Sequence, residues 1–149
     1  NIYFHVYGFC EEAYEDRLKK LQEQGVIQYH GMVKDMAEVF ETINCSVLPS
    51  YHEGMANSLL EAAASGRPVI ASNITGCRET FDEGVSGFGF QVKDSRALIG
   101  ALRKFLSLTT EERQQMGLAG RKKVETEFDR NIVINAYINE IEHISKGVK

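Results

Sequence analysis

The 149-residue sequence is short of cysteine: Cys10, Cys45 and Cys77 stand far apart, with no Cys-x-x-Cys pair among them. An odd, scattered set of thiols argues against a disulfide framework and a structural zinc site, and points to a reducing, cytoplasmic setting. No apolar run approaches the roughly 18 residues of a membrane span. The opening, Asn-Ile-Tyr-Phe-His-Val-Tyr-Gly, lacks the basic start of a signal peptide. Positive charge is not in surplus either, since 17 Lys and Arg face 21 Asp and Glu for a net charge of -4. A nucleic-acid partner is therefore not expected, and nothing favours direct adhesion to an anionic membrane surface. His5, His30, His52 and His143 have no ligand spacing and no Asp-x-Asp pair occurs, so neither a metal nor a cofactor is expected.

What is present is an alternation of two hydrophobic periods. Ile2 to Tyr7 reads as a strand, and Glu11 to Gln24 as a helix with Tyr14, Leu18 and Leu21 on one face and Gly25 as its stop. Val26 to His30 and the segment Lys-Asp-Met-Ala-Glu-Val-Phe-Glu-Thr-Ile repeat the pattern, with Asp35 as N-cap of the second helix. Cys45 to Pro49, Pro68 to Ser72 and Gly87 to Val92 are expected strands. Helices are expected near Ser58 to Ser65, near Arg78 to Phe81, and throughout from Asp94 onward. Strands alternating with helices at this spacing imply parallel pairing through right-handed crossovers. The expected class is α/β: a Rossmann-like, three-layer parallel sheet with C-terminal helices, forming one domain over residues 1–149. The chain starts directly in a strand without an initiator methionine, which is expected of sequence from the middle of a domain.

In open parallel sheets ligands bind outside the carboxyl ends of the strands, and residues 50–57 follow the third expected strand. Gly54 allows close approach of the backbone, and the amides of Asn57, Ser58 and Leu59 would open a helix whose partial positive charge suits phosphate. Glu53 in the turn and Glu61 in the helix are carboxylates able to accept from pairs of sugar hydroxyls. Two polyols flanking a diphosphate describe a nucleotide sugar. Each residue also has a local reading: Ser58 and Glu61 match a capping box, and Glu53 alone would be a solvated loop carboxylate.

The stretch Pro-Ser-Tyr-His-Glu-Gly-Met-Ala-Asn-Ser-Leu-Leu-Glu-Ala-Ala-Ala-Ser-Gly-Arg-Pro-Val-Ile-Ala-Ser, residues 49–72, resembles the Glu-x7-Glu region of retaining glycosyltransferases of family 4, which have the GT-B fold. The resemblance runs through Pro49-Ser50, Glu53-Gly54, Glu61-Ala62, Gly66 and Pro68-Val69, and continues through Gly76, Glu79 and Gly87 to the end helices. It implies the C-terminal, donor-binding half of such an enzyme. Glu53 would contact the donor sugar as the catalytic carboxylate, and the amides of Gly54, Met55 and Ala56 would line the sugar pocket. Asn57 and Ser58 would hold phosphate, Glu61 the ribose, and Gly31, Met32 and Val33 would lie beside the base. A UDP-sugar donor, used without metal for retaining transfer to a saccharide or lipid-linked acceptor, is the implied chemistry.

Family members also have an N-terminal acceptor domain, and a first donor-domain strand whose loop carries an Arg/Lys pair. The chain begins after both, so an inactive fragment with an exposed sheet edge, prone to self-association, is expected. The full-length protein would be cytoplasmic, and peripheral at the inner membrane face if bound to membrane at all. The alternatives are a nucleotide-sugar epimerase of GT-B-like fold and a non-catalytic nucleotide-sugar-binding module.

Overall fold

The computed structural model describes residues 2–147, so residues 1, 148 and 149 of the expected domain lie outside the described residues. The chain divides into two compact units, Asn1–Glu38 and Val39–Lys149. All the expected elements occur and every strand pairing is parallel, as the α/β class requires. The strands belong to two hydrogen-bonded sheets, not one: β1 with β2, and β3-β4-β5 in that order.

In the first unit β1 (His5–Tyr7) pairs with β2 (Gln28–Gly31), joined by the helix α1 (Glu12–Glu23). β1 is shorter than expected because Ile2, Tyr3 and Phe4 are exposed and outside it. Tyr29 ties the unit together: its amide donates to Gln22 Oε1 at 2.8 Å and its hydroxyl to the Gly8 carbonyl at 2.8 Å. α1 buries none of its residues, and Phe9, Tyr14 and Met32 are exposed. The two strands also do what sequence spacing concealed, bringing His5 Nδ1 within 2.9 Å of His30 Nε2.

The second unit is built around β4 (Val69–Ser72), buried along its whole length between β3 (Ser46–Leu48) and β5 (Gly87–Phe90). Ile70 lies in register with Val47 on one side and Phe88 on the other. A strand covered on both faces reads as an unbroken apolar run, which is why Val-Ile-Ala is legible there. The crossover from β3 to β4 is α3 (Asn57–Ala64), and the short 3-10 helix Arg78–Thr80 lies between β4 and β5.

Ile70, Phe88 and Phe90 form one core with Ala101 and Phe105 of α4 (Ser95–Ser107) and Met116 of α5 (Thr110–Glu127). Each large side chain buried here stabilises by about 1.5–3 kcal/mol. α4 starts at Asp94, whose carboxylate accepts from the amides of Arg96 and Ala97. α5 starts in a capping box: the Glu112 amide donates to Thr109 Oγ1 and the Thr109 amide to Glu112 Oε2. α5 packs on α3 at Gly120, where a Cβ would stand 3.5 Å from that of Ala63, and on the turn just past α3 at Gly117, where a Cβ would collide with the Gly66 carbonyl. The last helix, α6 (Arg130–Gly147), is exposed over residues 131–146.

Candidate functional site

The loop from Pro49 to Ala56 leaves the carboxyl end of β3 and delivers the chain to α3. Its conformation is fixed from within and from below. Within it, Ser50 Oγ donates to Glu53 Oε1 at 2.7 Å, which holds the half-buried carboxylate against its own loop. Below it lies Gly76, at φ 85, whose carbonyl accepts from the Ala56 amide at 2.8 Å. A Cβ on Gly76 would stand 2.5 Å from the Glu53 carbonyl oxygen and 2.7 Å from that of Gly54, so the two loops can cross only at a glycine. Glu79 sets Gly76 in turn, its Oε2 accepting from the Gly76 amide at 2.7 Å.

Cys77 is fully buried beside this crossing. Burial pushes its thiol up in pKa, and the charges of Glu53 and Glu79 push it further. A thiol kept neutral in this way is a poor nucleophile. Ser72 closes β4 at the same end of the sheet, its buried hydroxyl without a hydrogen-bond partner among the described residues. Neither Glu79 nor Ser72 had a positioning role assigned from sequence. Glu79 gains its positioning role only because the Gly76 that it holds meets the Glu53 loop, more than twenty residues earlier in the chain.

α3 presents Asn57, Ser58 and Glu61 on its exposed side and turns Leu59, Ala62 and Ala63 into the core. The capping-box reading of Ser58 and Glu61 fails. The N-cap is Ala56, which has no side chain able to cap, and Ser58 is already inside the helix. The hydrogen bond from Ala56 to Gly76 begins the helix earlier than the local pattern suggests. Its N-terminus is thus left without a side-chain cap, beside a Glu61 carboxylate not engaged in capping. Partial positive charge of this kind favours an anion.

Gly54 and Met55 are exposed on the loop, and Ala56 is buried at its end. Gly31, Met32 and Val33 belong to the other compact unit, where Gly31 ends β2 at φ 67, Met32 is exposed and Val33 half-buried. Among the described residues no group of three or more His, Cys, Asp or Glu could hold a metal ion.

The sequence model of the glycosyl transferases group 1 family matches residues 1–107. The chain belongs to that family. It is 29% identical over 125 residues to N,N'-diacetylbacillosaminyl-diphospho-undecaprenol alpha-1,3-N-acetylgalactosaminyltransferase of Campylobacter jejuni, covering 83% of this chain and 32% of that protein. It is 33% identical over 101 residues to the capsular polysaccharide biosynthesis glycosyltransferase CapM of Staphylococcus aureus, covering 68% of this chain and 26% of that protein. The fold is shared with Anabaena HepE in complex with UDP-glucose, at a TM-score of 0.78, 21% identity and coverage of 93% of this chain and 40% of that one. This group 1 chain thus spans about a quarter to two fifths of the proteins it resembles.

Proposed function

We propose that this group 1 chain is the donor-binding part of a retaining glycosyltransferase that uses a nucleotide-diphosphate sugar, with UDP as the nucleotide. One arrangement carries the reading: the uncapped start of α3, with Asn57, Ser58 and Glu61 exposed on it, follows directly from a loop in which Ser50 holds the Glu53 carboxylate. The binding of UDP-glucose by the structurally similar HepE supports the same choice of ligand.

The parts divide the work along the donor. Helix-terminal amides with Asn57 and Ser58 take the diphosphate, where hydrogen bonds aimed at developing charge lower the barrier to its departure. Glu61 accepts from the ribose hydroxyls, and Glu53 from hydroxyls of the sugar, with the amides of Gly54, Met55 and Ala56 lining the sugar pocket. In front-face transfer the leaving diphosphate takes the acceptor proton, so the protein's contribution is positioning and charge stabilisation without a metal.

The acceptor is a saccharide or lipid-linked glycan bound by a further domain, and the chain alone binds donor without transferring it. The names of the Campylobacter and Staphylococcus relatives support such an acceptor class. No described helix is long and apolar enough to cross a membrane, and a cytoplasmic protein, peripheral at the membrane's inner face, fits this role. NMR titration of the chain with UDP and GDP tests the proposal. Shifts at residues 53–61 with UDP, little changed by magnesium, are expected; their absence would overturn it.

A further inference from the structure

Lys93 is the one described residue other than glycine with a positive φ, at 62°. It follows β5 in a tight turn, in which the Asp94 amide donates to the Gln91 carbonyl at 3.3 Å. A positive φ at the third position of such a turn is the place of glycine or asparagine in type II geometry. The turn itself has a purpose, because it brings Asp94 to cap α4, but glycine would serve that purpose with less backbone strain. The reason for a lysine must then lie in its side chain.

The Lys93 ammonium sits over the ring of Tyr51, 5.3 Å from its centroid. Tyr51 neighbours Ser50, the residue that holds Glu53. Lys93 follows β5 and Tyr51 follows β3, the two strands flanking β4, so the contact joins the two sides of the sheet's carboxyl end. Strain at a non-glycine residue of this kind gathers at functional sites. The loop therefore has two anchors. Ala56 is bonded to Gly76 at the α3 end, while the Tyr51 end, exposed as it is, is held by Lys93.

We propose that Lys93 is a positioning residue for donor binding: through Tyr51 it fixes the 50–53 segment, and with it the Glu53 carboxylate. The inference rests on the donor reading given above and adds a division within it. Loosening the Tyr51 end displaces the group assigned to the sugar. The α3 terminus assigned to the nucleotide keeps its anchor on Gly76.

The test is calorimetry on the 149-residue chain with UDP and UDP-glucose as probes. Lys93→Gly should leave UDP affinity within about twofold and lower UDP-glucose affinity by roughly two- to fivefold, the worth of one exposed cation–π contact. Its thermal midpoint should hold or rise, because glycine relieves the turn. Tyr51→Leu should reproduce the loss, the double variant should add nothing further, and Lys93→Arg should restore the wild-type ratio. A wild-type chain that binds neither probe would overturn the donor reading and this proposal with it. A wild-type chain that binds both, with the UDP-glucose to UDP ratio unchanged in Lys93→Gly, would overturn this proposal alone.

Discussion

Gly76 and Glu53 meet backbone to backbone, so closely that a methyl group on Gly76 would stand 2.5 Å from the Glu53 carbonyl oxygen. One of the two anchors of the Glu53 loop is therefore a residue that carries no side chain. Gly76→Ala imposes two penalties, a left-handed φ of 85 on alanine and a collision with backbone that cannot rotate away. Together these should cost about 2–4 kcal/mol, read as a fall in denaturation midpoint. Nucleotide-sugar affinity should fall as well. A variant as stable as wild type would show that the two loops can separate.

Gly117→Ala tests packing away from the site. Its added Cβ would strike the Gly66 carbonyl, forcing α5 off the end of α3. A loss of about 1–3 kcal/mol is expected from overpacking. Gly100→Ala is the control, since a Cβ there meets nothing within 4 Å and alanine favours the middle of a helix. Chemical denaturation of both variants should separate them in sign.

The cysteines give the pH dependence. Burial pushes the Cys45 thiol from its ordinary 9.0 up to about 12, so the folded chain keeps the proton after the unfolded chain has lost it. The folded state is unaffected by this group below pH 9, and stability falls as pH rises from 9 towards 12. Alkaline denaturation should steepen in that window, and Cys45→Ala should flatten it. At pH 8 a thiol reagent should label Cys10 and spare Cys45 and Cys77 until the chain unfolds.

Most of this architecture was legible because its signals are local. Asp35, Asp94 and Thr109 cap helices through bonds spanning two or three residues, and the buried β4 announces itself in Val-Ile-Ala. What escaped depends on distant partners. The start of α3 is set by Gly76, twenty or more residues from the loop it anchors, so Ala56, not Ser58, becomes the N-cap. The division of the strands into two sheets is likewise a matter of which edges meet, and period and propensity do not encode it. The site residues were placed by the length of one motif, whereas Lys93 acts through a tertiary contact with Tyr51.

Self-association is the outcome expected of exposed apolar surface. Ile134, Tyr137, Ile138, Ile141 and Ile144 recur at helical spacing on α6 and all are exposed. Among the described residues β3 pairs only with β4, and β1 only with β2. Exposed apolar stripes and sheet-edge strands both recruit further chains. Light scattering should give an average mass above that of a monomer and rising with concentration, reduced by Ile138→Lys with Ile141→Glu. A strict monomer over a wide concentration range would contradict this.

Glu61 now has a sharper test than its position in the motif offered. It is exposed on α3 and does not serve a capping box, because the N-cap is Ala56; Glu61→Gln should therefore hardly change stability. If the carboxylate accepts both ribose hydroxyls, the amide replaces one acceptor with a donor and weakens UDP and UDP-glucose alike by roughly 1.5–3 kcal/mol. Glu53→Gln should differ in two respects. It keeps an oxygen for the Ser50 hydroxyl, so the loop should stay in place. Its loss should fall on UDP-glucose while UDP is spared, because the partners assigned to Glu53 are on the sugar. Calorimetry with the two ligands on the two variants gives four affinities, and only the division into nucleotide and sugar ends predicts three losses and one unchanged value. Four unchanged values would reduce both carboxylates to solvated surface groups.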